Sequence, residues 1–71
     1  MQQIQRELGV RLRKLRRKKG WSQEEFAAVS GLHRTYIGAV ERGEKNLTLS
    51  TLHTLSETLD TTIAQLLRGI A

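Results

Sequence analysis

The chain has 71 residues, with 12 Lys/Arg against 7 Asp/Glu, no Cys and no Pro, and its formal net charge of +5 corresponds to a pI of about 10.5. Without Cys, disulfides, thiolate zinc sites and thiol nucleophiles are excluded. No apolar run approaches the roughly 20 residues of a membrane helix, and the N-terminus is too charged for a signal peptide, so a cytoplasmic, membrane-free protein is expected. A basic excess of this size points to a polyanionic partner.

The first predicted element is a helix over residues 3–19, where Ile4, Leu8, Leu12 and Leu15 form one narrow apolar stripe. Eight Lys/Arg against Glu7 give residues 1–20 a charge of +7, while the remaining residues sum to −2. These cations form either a solvated helix face or, in part, a set of phosphate contacts. Gly20 suits the C-terminal cap of this helix. Trp21 beyond it either covers the edge of the core or donates its indole N–H to a phosphate.

Ser22 followed three residues later by Glu25 is a capping box, so a second helix is expected over residues 23–30, ended by a left-handed Gly31. Phe26 and Ala27, with Val29 or Ser30, continue its apolar stripe. A third helix begins around His33, where Leu32 and Ile37 can pack as a hydrophobic staple, and Gly43 closes it. Two short helices joined by a tight turn form a helix-turn-helix. On the third helix Ile37, Val40 and Glu41 share the inner side. Gly38 and Ala39, framed by Arg34, Thr35, Tyr36 and Arg42, are expected outward, as a surface that could approach a DNA major groove closely.

The loop from Glu44 to Leu47 carries Lys45 and Asn46, either as ordinary solvated residues or as flanks of the groove, with Glu44 expected to point away. Thr48 can cap a fourth helix with Leu49, Leu52, Leu55 and Leu59 inward. Asp60 is a tolerable left-handed stop, and Thr61 or Thr62 can cap a last helix bearing Ile63, Leu66, Leu67 and Ile70. That is much apolar surface for one short helix: Ile63 with Leu66 or Leu67 can close the monomer core, but the rest needs a second partner. A chain of this length buries only about 60% of its unfolded surface, so a partner subunit would add stability. A two-fold dimer is expected, the alternative being that the last helix packs on its own domain alone.

Gln23, Gly31, Ile37, Val40, Glu41 and Gly43 fall at the spacings of the Xre-type, lambda-repressor-like DNA-binding domains, which nearly the whole chain resembles. Within that class the stretch GLHRTYIGAVERGEKNLTL is most similar to the controller proteins of restriction-modification systems. It departs from their pattern at His33, where they usually carry Asp or Ser as the helix cap. The resemblance implies an all-α, compact five-helix domain over residues 1–71 that binds duplex DNA with a palindromic operator as a homodimer and regulates transcription. It further implies that Arg16 pairs with Glu41 to lock the first helix to the recognition helix, and that Gln23 holds the DNA backbone, sometimes also reaching the recognition helix. The expected base-reading residues are His33, Arg34, Thr35, Tyr36 and Ala39. Trp21, Gln23, Arg42, Lys45 and Asn46 are expected on the DNA backbone, and Ile63, Leu66, Leu67 and Ile70 at the dimer interface.

Other functions fit less of the chain. An enzyme would have to use His33 or His53, twenty residues apart on different helices, and no nucleophile elbow, phosphate-binding glycine loop or paired-His metal motif accompanies them. Glu41 as a catalytic carboxylate lacks a second acid. A membrane-surface role for the first helix would claim the same leucines that the core needs. No cofactor, metal or small-molecule ligand is expected. A protein-binding role, such as an antitoxin that neutralises a partner through its last helix, could coexist with DNA binding; salt dependence separates the two.

Overall fold

The computed structural model describes residues 2–70, in which five helices and no strands occur. They are α1 (Gln2–Lys18), α2 (Gln23–Ser30), α3 (Arg34–Glu41), α4 (Leu49–Thr58) and α5 (Ile63–Leu67). Their boundaries follow local chemistry. At the start of α2 the Ser22 hydroxyl accepts from the Glu25 N–H, and the Glu25 carboxylate accepts from the Ser22 N–H, at 3.0 and 2.8 Å. Thr48 and Thr62 cap α4 and α5 through their hydroxyls, each at 3.1 Å.

The core is a single cluster: Leu8 and Leu12 from α1, Phe26 and Ala27 from α2, Ile37 and Val40 from α3, Leu52 and Leu55 from α4, Leu59, and Leu66 from α5. The placing of Leu49 needs correction. Leu49 is 75% exposed, because a step of 100° per residue puts it about 90° from the mean direction of Leu52, Leu55 and Leu59. On α2 the stripe continues through Ser30, whose hydroxyl donates to the Ala27 carbonyl at 3.2 Å, while Val29 faces solvent. Of Leu66 and Leu67 it is Leu66 that closes the monomer core, completely buried within its own subunit, so it does not belong to the expected dimer interface. It lies on the one side of the short α5 that faces the floor of the cluster. Ile63, Leu67 and Ile70 pack against the cluster only in part.

Glycine decides how α1 meets α3. A Cβ on Gly9 would stand 2.6 Å from the Glu41 carbonyl oxygen and 2.7 Å from that of Val40, so α1 crosses the end of α3 in backbone contact. Beside it, Gly43 has φ 76° and closes α3, its N–H donating to Val40 while that of Glu44 reaches back to Ala39. A Cβ there would meet Arg6 at 2.8 Å. The last turn of the second helix of the helix-turn-helix is therefore seated directly on α1.

Candidate nucleic-acid interface

What fixes α3 is a buried polar cluster around Glu41. Arg16 and Glu41 are 7% and 2% exposed, and the guanidinium grips the carboxylate in parallel, Nε to Oε2 at 2.7 Å and Nη2 to Oε1 at 3.0 Å. Gln23 at the start of α2 donates its amide to Oε1 at 3.2 Å, and Arg13 donates to the Glu41 carbonyl at 3.3 Å. Arg16 also donates to the Trp21 carbonyl at 2.8 Å. One carboxylate thus ties α1, α2 and α3 together and leaves no buried side-chain polar atom unpaired among the described residues. The expected Arg16–Glu41 pair is present. Gln23 reaches the third helix, so part of its bonding capacity is spent inside the protein.

With α3 locked in this way, its first turn stands clear. His33 caps it: Nδ1 accepts from the Thr35 N–H at 3.1 Å. The imidazole does here what Asp or Ser would do, which requires Nδ1 to be unprotonated and leaves Nε2 as the donor. Arg34 and Thr35 are exposed, and Tyr36 is half-buried against the core. Among the described residues no carboxylate pairs with Arg34, and its guanidinium is at liberty to meet a ligand.

The outer face differs from the expected one farther along. Ala39, assigned to base reading, is only 6% exposed, and Gly38 is buried too. A wheel for α3 alone misses what its neighbours lay over it. Arg42 folds back across Gly38, where a Cβ would stand 3.1 Å from Nη1 and 3.5 Å from the Gln23 Oε1. Ala39, at 6% exposure, offers a base edge little surface, and the accessible surface of α3 is its N-terminal half. Glu44 does not point away either. It bonds Arg42 through both oxygens, Nε to Oε2 at 3.0 Å and Nη2 to Oε1 at 3.2 Å. The hydrogen bond from Arg42 holds the Glu44 carboxyl below the usual glutamate range, and the bond to Glu44 raises the Arg42 guanidinium.

Lys45 and Asn46 are exposed in the loop after α3, Asn46 accepting a hydrogen bond from Gln5. Trp21 is half-buried and stacks on Phe26 with centroids 6.0 Å apart and planes at 18°, so its ring covers the edge of the core. The α1 cations divide. Arg6 and Arg13 lie on the α3 side. Arg11, Lys14 and Lys18 are roughly opposite Gly9 at about 100° per residue, and with Arg68 they line a shallow groove toward α5. Arg11 also donates to the Leu66 carbonyl at 3.0 Å. Sequence periodicity held the signal for this division, but without the position of α3 it had no reference direction.

No cluster of three or more His, Cys, Asp or Glu able to hold a metal ion occurs among the described residues, and none of their helices is long and apolar enough to cross a membrane.

Known proteins resemble this chain in sequence and fold. The helix-turn-helix family profile matches residues 12–66. Control protein C.SmaI of Serratia marcescens is 52% identical over 60 residues, which cover 84% of this chain and 71% of that protein. The crystal structure of the restriction-modification controller protein C.AhdI from Aeromonas hydrophila is 46% identical with a TM-score of 0.82, covering 86% of this chain and 92% of that one. SinR, a master regulator for biofilm formation solved in complex with DNA, is 31% identical with a TM-score of 0.80, over 84% of this chain and 97% of that one.

Proposed function

Since the chain belongs to the helix-turn-helix family, we propose that it is a transcriptional regulator of the restriction-modification controller type, which binds a specific duplex site as a homodimer. The observation that carries this reading is the exposed first turn of α3, held rigid from behind by the buried Arg16–Glu41 pair. A recognition helix enters the major groove with its N-terminal residues toward the base edges. Arg34 is then the principal base-reading residue, because its planar fork can bond O6 and N7 of one guanine together. Thr35 and Tyr36 lie beside it, and His33 offers Nε2. Gln23, Arg42, Lys45 and Asn46 are then the candidates for backbone contacts, which position the protein without reading sequence. Names that two relatives carry, control protein and controller protein, favour the controller type over a phage repressor or an antitoxin.

Dimerisation is supported by the half-buried Ile63, Leu67 and Ile70 on α5 and after it. An eight-residue α3 spans too few base pairs for high specificity, and a two-fold pair of such helices doubles the site. The reading is tested by selecting bound duplexes from a random pool and titrating the winner against a scrambled duplex at several salt concentrations. Enrichment of one approximately palindromic sequence, with affinity falling steeply as salt rises, is the expected result. Failure to enrich any sequence would overturn specific recognition, and salt-insensitive binding to a protein partner in place of DNA would favour the antitoxin reading.

A further inference from the structure

The Arg42–Glu44 ion pair sits at the edge of the face just described. Its two bonds are parallel, and the side chains are 55% and 56% exposed. The guanidinium lies across Gly38 beside Gln23, so it stands where the outer face of α3 meets the start of α2, and a phosphate strand flanking the groove would pass there. A carboxylate held through two parallel N–H bonds offers a guanidinium the same pattern as two phosphate oxygens.

We propose that Glu44 is an internal competitor for a DNA phosphate at Arg42, holding the fork in the free protein and lowering affinity for all duplexes alike. This rests on the reading of α3 as the DNA-facing helix. For Arg42 to take a phosphate, Glu44 must release it and stand as a bare carboxylate beside a polyanion, where it recruits a cation. If Arg42 stays with Glu44, one phosphate keeps its counterion. In both cases binding releases one ion fewer per subunit than it would with a neutral residue at 44. Because phosphates carry no base identity, the competition lowers occupancy without altering base preference.

The test measures binding of the intact protein to the selected duplex and to a scrambled one over a salt series. It compares wild type, Glu44→Gln, Arg42→Ala, the double variant, and Glu57→Gln as a control that removes one charge from α4. Glu44→Gln should tighten both duplexes by roughly three- to tenfold and steepen the salt slope by about 1 per subunit. In the Arg42→Ala background the same change should do no more than Glu57→Gln does. An unchanged or weakened Glu44→Gln complex would overturn the proposal, as would a gain that persists in full without Arg42, which would mark a general charge effect. If wild type shows no salt-dependent duplex binding, the DNA-binding reading itself falls. If wild type binds but Glu44→Gln behaves as wild type, only the competition falls.

Discussion

Glu41 shows at the scale of one residue how the interface is held. Its carboxylate is 2% exposed and satisfied by Arg16 and Gln23, so its removal leaves a buried guanidinium without its counter-charge. Glu41→Ala should therefore cost about 3 to 5 kcal/mol of folding free energy, read by chemical denaturation. A loss below about 1 kcal/mol would mean that water reaches the site. Near the surface the same chemistry has a different readout. NMR titration of the Glu44 carboxyl should give a midpoint below its ordinary 4.5, and Arg42→Ala should move it up, since the bond from Arg42 is the main cause. Lys45 is exposed and has no salt-bridge partner among the described residues. Lys45→Ala should weaken all duplexes alike and lower the salt slope by about 1 per subunit. The Arg16–Glu41 pair could be anticipated because its residue types match a known pattern at fixed spacing. The covering of Gly38 could not, because it depends on where Arg42 and Gln23 lie over α3.

At the scale of the helix, the parts settled by neighbours in sequence were legible. The capping box at Ser22, the stop at Gly31 and the threonine caps of α4 and α5 each depend on residues within one turn. Packing across sequence was legible only in part. A glycine inside a helix reads as a weakness, and Gly9→Ala should stabilise an isolated α1 by about 0.8 to 1 kcal/mol. In the folded chain the added methyl meets two backbone carbonyls at 2.6 and 2.7 Å, and backbone cannot move aside as a side-chain tip can. Gly9→Ala should therefore destabilise the protein by about 1 to 3 kcal/mol, measured by thermal or chemical unfolding. A rise in stability would show that α1 does not touch the end of α3. Leu49 was misplaced for a related reason: spacings of three and four define a face, but drift across several turns carries an end residue off it.

For the whole molecule, the charge excess in residues 1–20 points to a polyanionic partner, but does not say that α1 divides its cations between two sides. Likewise the apolar surplus of the last helix suggested a second subunit, but not which of Leu66 and Leu67 closes the monomer core; it is Leu66. Deleting the C-terminal region would therefore damage folding as well as pairing. Ile63→Lys together with Ile70→Lys is the better probe. It should convert a dimer to a folded monomer in sedimentation, whereas a dimer of unchanged strength would move the interface elsewhere. A two-fold pair should place its recognition helices about 34 Å apart, one duplex turn, and make the site an approximate palindrome. The central claim is that the exposed first turn of α3 reads this site, once in each half. It is tested most directly by measuring wild type and Arg34→Ala against every single-base substitution of the selected duplex. The account predicts a loss of about 1 to 3 kcal/mol on the intact site and a preference flattened mainly at one base pair, symmetrically in both halves. A uniform loss with every base preference intact would contradict it, and would leave the readout to His33, Thr35 or Tyr36.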